Sequence, residues 1–134
     1  MARLHVEVVT PERRLVQVEA DEVIAPGYDG LFGVRPGHVA YLALMQAGLL
    51  TVKEGASQQR YFVAGGFCEV ADDSVRVLAD VAEPLESIDL NEAKKRLGDA
   101  EAKLLELSPS LPAYEQQREA ARTARVRLEL ASKR

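Results

Sequence analysis

Residues 25–38 read Ala25-Pro26-Gly27-Tyr28-Asp29-Gly30-Leu31-Phe32-Gly33-Val34-Arg35-Pro36-Gly37-His38. Glycine opens φ values that other residues avoid, and proline removes an amide donor. Four glycines and two prolines in this span therefore break the chain repeatedly and leave no room for a helix. On the N-terminal side, Leu4, Val6 and Val8 alternate with His5 and Glu7, the period of a half-buried strand. Thr10-Pro11-Glu12 reads as a turn, Leu15, Val16 and Val18 as a second run, and Glu22 to Ala25 as a third. On the C-terminal side, Tyr41 to Met45 and Leu49 to Val52 flank Gly48, and the polar segment 53–59 with Gly55 forms a hairpin tip. Arg60 to Ala64, Phe67 to Ala71 and Val75 to Ala79 complete the series, separated by Gly65-Gly66 and Asp72-Asp73. Strands at intervals of about ten residues with turn residues between them indicate an antiparallel sandwich or barrel. A parallel sheet is not expected, because no crossover helix fits between these runs.

Near residue 84 the chain changes character: glycine becomes scarce, and Ala, Leu, Glu, Lys and Arg dominate. Leu90, Ala93, Leu97, Ala100, Leu104 and Leu107 recur at alternating spacings of three and four, one seam of a helix. Asp89 stands at the N-cap with Glu92 three residues on, the pattern of a capping box. Ser108-Pro109-Ser110-Leu111-Pro112 ends this helix and opens another, along which Tyr114, Gln117, Ala121, Ala124, Leu128 and Ala131 repeat the spacing. Two such helices joined by a short loop fold back on each other. The expected fold is α+β: an N-terminal antiparallel β-sandwich over residues 1–84, then a C-terminal antiparallel two-helix hairpin over 85–134. The second seam is mostly alanine, which buries well under half the area of leucine. Gly98 costs its helix about 1 kcal/mol relative to alanine, so the hairpin is expected to be loosely held and mobile.

Composition excludes several functions. A net charge of -4 argues against binding nucleic-acid backbones, which needs a basic surface. Cys68 is the single cysteine, so an intramolecular disulfide is ruled out, and its apolar neighbours mark it as a buried small side chain. The start of the chain lacks an apolar signal core, and no stretch approaches the roughly 20 apolar residues of a membrane span. The expected location is the cytoplasm, with any membrane association made through partners.

Chemistry-bearing motifs are absent. There is no phosphate-binding Gly-rich loop ending in Gly-Lys-Ser/Thr, no nucleophile elbow and no His-Glu-x-x-His. Of the two histidines, His5 points outward from the first strand, while His38 either bonds within its own turn or touches a partner. Glu83 and Glu86 read as solvated linker residues rather than an acid/base pair. Arg118, Arg122 and Arg125 share a helix face, either as solvated charges paired with Glu115 and Glu119 or as a docking stripe for an acidic partner or a phosphate.

Four stretches resemble the epsilon-subunit family of the rotary ATP synthase: Val6 to Glu12, Ala25 to His38, Gly65-Gly66-Phe67-Cys68-Glu69-Val70, and Val75 to Glu83. Each alone is weak; four in register, followed by a helical hairpin, are specific. The resemblance implies a non-catalytic central-stalk subunit, linking gamma to the ring of c subunits, peripheral on the cytoplasmic face of a bacterial inner membrane. It places Tyr28, Asp29, Gly30, Leu31 and His38 at the ring-facing edge, where the family often carries a polar residue and this chain has Leu31. It implies that the hairpin, when extended, reaches the alpha and beta catalytic subunits and inhibits ATP hydrolysis; the basic face of Arg118, Arg122 and Arg125 is the candidate contact for an acidic segment there. Some members bind ATP on the hairpin through an Ile-Asp-x-x-Arg-Ala motif. Here Ile88 and Asp89 are kept, but Glu92 replaces the arginine, and Asp99 replaces a second one seven residues on. Two charge reversals beside a triphosphate turn attraction into repulsion, so no cofactor is expected and ATP binding is weak or absent. The alternative function is a β-sandwich binding module whose hairpin serves self-association.

Overall fold

A computed structural model describes residues 3–134; Met1 and Ala2, at the start of the expected first domain, fall outside the described residues. The chain divides into two compact units at Pro84/Leu85.

The first unit is a two-layer sandwich. Its strands are β1 (Leu4–Val9), β2 (Arg14–Ala20), β3 (Glu22–Gly27), β4 (Gly30–Val34), β5 (Tyr41–Leu44), β6 (Gly48–Glu54), β7 (Ser57–Ala64), β8 (Phe67–Ala71), β9 (Ser74–Leu78) and β10 (Val81–Pro84). One sheet has the order β2-β1-β9-β8-β5 and the other β10-β7-β6-β3-β4. Alternation decides the inward faces: Leu4, Val6 and Val8 of β1, Val75 and Val77 of β9, and Cys68 and Val70 of β8 are all buried. They meet Val23 and Ala25 of β3, Leu50 and Val52 of β6, and Tyr61 and Val63 of β7 in one core. Each such valine or leucine contributes about 1.5–3 kcal/mol by leaving water. The core is small-residue and aliphatic, as a chain without tryptophan requires.

Three features depart from the sequence reading. β1 and β9 pair in parallel, from His5↔Ser74 to Val9↔Leu78. A parallel pair needs a long connection but not a helical one; here residues 10–73 supply it as seven strands shared between both sheets. Gly30–Val34, expected as a broken stretch, is β4, paired from Val23↔Val34 to Gly27↔Gly30. Its glycines allow the tight turn without preventing a ladder, because Phe32 and Val34 still alternate toward the core. Val81–Pro84, expected as linker, is edge strand β10 on β7, and Pro84 at its end removes no interior ladder bond.

The second unit begins with a 3-10 turn, Leu85–Ser87, followed by α1 (Leu90–Leu105) and α2 (Pro112–Ser132). Asp89 caps α1, accepting the Glu92 amide at 3.0 Å. The capping box is only half formed, since the Glu92 carboxylate is turned to Arg96 and Arg127 instead. α2 starts at Pro112 without a side-chain cap, proline at the first position making one cap unnecessary. The helices run antiparallel: Gln117 Nε2 donates to the Ala100 carbonyl at 3.1 Å, and Arg127 meets Glu92 further down. Ala93 and Ala100 of α1 and Ala121, Ala124 and Ala131 of α2 are buried, while Leu90, Leu97, Leu104 and Leu128 are half-buried. The buried seam is thus alanine, with one exception, Arg127.

Candidate interaction surfaces

Tyr28 and Asp29 form the two-residue turn between β3 and β4, closed by the pair Gly27↔Gly30. Gly30 has φ +122°, a value that side-chain-bearing residues rarely take. The turn is fixed to the other sheet. Tyr28 N donates to Leu44 O at 3.1 Å, Gln46 N to Pro26 O at 3.0 Å, and Gln46 Nε2 to Gly27 O at 3.0 Å. Gly27 also bridges Met45. The sheet edges β4 and β5 are therefore joined at this end, and their apolar side chains face outward. Tyr28 is 65% exposed, Leu31 69%, and Leu42 and Leu44 64% each. With Phe32 and Tyr41 they line an open cleft.

His38 lies in the loop between β4 and β5, at the far end of β4 from this turn. Its amide donates to Arg35 O at 3.1 Å and its Nδ1 lies 2.7 Å from Val39 O, so the ring is engaged by its own loop. It stands 6.1 Å, centroid to centroid, from Tyr41, which packs edge-on against Phe32 at 5.3 Å. The structure thus brings Tyr28, Asp29, Gly30 and Leu31 together at one end of the sandwich but not His38, whose loop lies at the other end of β4, where Gly37 N donates to Asp73 Oδ1 at 2.7 Å in the β8–β9 turn. Leu42 and Leu44 were missed from sequence. Their signal was two leucines at i and i+2 pointing away from buried Ala43, legible only once β5 is known to be an edge.

The α2 arginines are not a bare cationic stripe. Arg118 pairs with Glu115 at 3.2 Å, Arg122 with Glu119 at 3.1 Å and Arg125 with Glu101 at 3.3 Å. All are substantially exposed, so each pair is screened and contributes little to stability.

Ile88 is buried and Asp89 is committed to the helix cap. Beside them, Glu92 Oε2 lies 2.6 Å from Arg96 and Oε1 2.8 Å from Arg127 Nη1, a close ion pair not aligned as a linear hydrogen bond. Contact with Arg127 holds the Glu92 carboxyl below its ordinary value against the opposing effect of burial, and the charge of Arg96 adds to it. Sequence reasoning missed Arg127; its signal was the spacing from Ala124 and to Ala131, which places it within the seam.

Among the described residues no group of His, Cys, Asp and Glu is arranged to hold a metal, and no helix is long and apolar enough to cross a membrane. Cys68 is buried, and burial pushes its thiol up to about 12.

A sequence model of the ATP synthase delta/epsilon chain beta-sandwich domain matches residues 3–85. The chain is 47% identical over 128 residues to the ATP synthase epsilon chain of Myxococcus xanthus (strain DK1622), covering 96% of this chain and 94% of that one. It is 41% identical over 130 residues to that of Anaeromyxobacter sp. (strain K), covering 97% and 98%. Its fold is similar to a chain in the Euglena gracilis mitochondrial ATP synthase, solved by cryo-EM as OSCP/F1/c-ring, with TM-score 0.82, 27% identity, and coverage of 98% of this chain and 82% of that one. A chain of the Tetrahymena thermophila mitochondrial ATP synthase central stalk and c-ring shares the fold at TM-score 0.60 and 13% identity. The chain belongs to the family of ATP synthase epsilon chains, non-catalytic subunits of that complex.

Proposed function

We propose that this epsilon chain is a rotor subunit that joins gamma to the c-ring through its sandwich and restrains ATP hydrolysis through its hairpin. The observation that carries the first part is the fixed apolar edge of Tyr28, Leu31, Leu42 and Leu44. Contiguous exposed apolar side chains mark a protein interface. Their backbone is tied across both sheets, so binding would order little and the entropic cost is low. The c-ring in the similar Euglena assembly supports the choice of partner. On this reading the contact at Leu31 is apolar, and the chain reaches the cytoplasmic face of a bacterial inner membrane only through its complex. The test is co-purification of the assembled enzyme with Leu31→Asp and Leu44→Asp introduced together. The double variant is expected to fold and to lose its place on the ring; full retention in the complex contradicts the assignment.

The hairpin is read as a movable arm because its buried seam is alanine. Extended, it reaches the alpha and beta subunits, where Arg118, Arg122 and Arg125 exchange their exposed glutamate partners within the hairpin for acidic residues of those subunits. It works without ATP. Glu92 places a carboxylate beside Arg96 and Arg127, so the cations there are already met and a triphosphate would be repelled. Calorimetry is expected to detect no tight ATP binding, and sub-micromolar affinity contradicts it.

A further inference from the structure

The base of the hairpin holds a charge in a row otherwise made of alanine. Arg127 is 6% exposed and lies between Ala124 and Ala131 on the buried side of α2. A guanidinium removed from water is strongly unfavourable unless a carboxylate meets it. The carboxylate comes from the other helix: Glu92 Oε1 lies 2.8 Å from Arg127 Nη1. Its second oxygen is held by Arg96, one turn on, at 2.6 Å, so Glu92 is fixed between two guanidinium groups. Below this, Arg134 donates to the carbonyls of Leu85 and Ile88 and ties the end of α2 to the turn before α1.

We propose that Glu92 and Arg127 form a clasp that decides whether α1 and α2 stay together. The alanine seam alone holds the helices weakly, and separating them requires Arg127 to give up Glu92 and become a hydrated cation. The two members are unequal. Removing Glu92 leaves a buried guanidinium without this carboxylate, which is costly; replacing Arg127 by an apolar side chain of similar length removes the charge itself and costs little. Arg118 and Arg122 have carboxylates on α2 itself, Glu115 and Glu119, which stay with them when the helices part. Arg125, Arg127 and Arg134 instead draw on the α1 side, through Glu101, Glu92 and the carbonyls of Leu85 and Ile88, so opening takes these contacts from them. Cations released from these contacts fit an acidic protein segment. This last step rests on the reading of the hairpin as an arm that reaches a partner; the clasp does not.

Hydrogen exchange on the full-length chain, read over 113–131, tests the clasp. Glu92→Ala is expected to speed exchange about tenfold or more. Arg127→Met is expected to keep protection at or above that of the parent chain. Glu92→Ala combined with Arg127→Met is expected to restore protection to within roughly threefold of the parent. No acceleration in Glu92→Ala, or a double variant that exchanges as fast as Glu92→Ala, overturns the clasp. The same three variants in the assembled enzyme separate the two ideas. With the clasp and the arm both correct, Glu92→Ala deepens inhibition of ATP hydrolysis and the double variant does not. The expected exchange pattern with identical hydrolysis rates keeps the clasp and removes the hairpin's inhibitory role.

Discussion

Two glycine-to-alanine substitutions are expected to move stability in opposite directions, and the structure says why. Gly66 adopts φ +82° just before β8. A Cβ there would overlap the Leu78 carbonyl oxygen and stand 2.8 Å from its carbonyl carbon and 2.9 Å from the Ala79 Cα. Neither side can yield easily. Phe67 pairs with Leu78 in the β8–β9 ladder, and Gly66 O accepts the Met45 amide at 3.0 Å. The left-handed conformation costs a non-glycine residue about 1–2 kcal/mol, and displacing packed backbone adds about 1–3 kcal/mol. Gly66→Ala is therefore expected to destabilise the sandwich by roughly 2–5 kcal/mol, a large share of a typical domain's roughly 5–15 kcal/mol. Gly98 is the opposite case: it lies mid-helix with nothing within 4 Å of its would-be Cβ. Gly98→Ala is expected to stabilise the hairpin by about 0.5–1 kcal/mol, by lowering the entropy of the unfolded chain and leaving the contacts unchanged. Urea titration reads the first through tyrosine fluorescence, since Tyr28, Tyr41 and Tyr61 all lie in the sandwich, and the second through helical circular dichroism. A Gly66→Ala midpoint within about 0.5 kcal/mol of the parent, or a destabilising Gly98→Ala, refutes the reasoning.

The Glu92 carboxyl is held below its ordinary value in the folded chain, so its contribution to hairpin stability is complete above the unfolded value of about 4.3 and is lost as pH falls through the folded value; an acid-side rise in hydrogen exchange over 90–131, absent in Glu92→Gln, checks this. Cys68, with its thiol pushed up to about 12 and its side chain buried, is expected to resist maleimide in the native chain and react after unfolding; rapid native labelling contradicts the buried placement. Truncation after Ser87 is expected to leave the complex assembled and to raise its ATP hydrolysis rate; an unchanged rate removes the inhibitory role.

Period-two runs such as Leu4, Val6 and Val8 announce strands because one face meets a core, and the alanine and leucine seams announce the hairpin for the same reason at a different period. What escaped that reading depends on partners far along the chain. β4 carries two glycines in five residues, and only its pairing with β3 makes it a strand. β10 reads as linker until β7 offers an edge. The parallel β1–β9 pair joins residues some 69 apart, from His5 to Ser74, which no local pattern encodes. The interface candidates divide the same way. The turn at Tyr28-Asp29 is visible from its glycines, whereas Leu42 and Leu44 look like core leucines until β5 proves to be an edge strand with its inward position taken by Ala43. Arg127 is invisible to hydrophobic periodicity because that pattern scores charge as exposure, and here the counter-charge comes from another helix.

The central claim is that the end of the sandwich carrying Leu31 faces the ring. A photo-reactive benzoylphenylalanine placed at Leu31 in the assembled, membrane-bound enzyme tests it most directly. The account predicts a cross-linked band containing this chain and a c subunit. A cross-link exclusively to alpha or beta, or efficient cross-linking to a second copy of this chain, contradicts it.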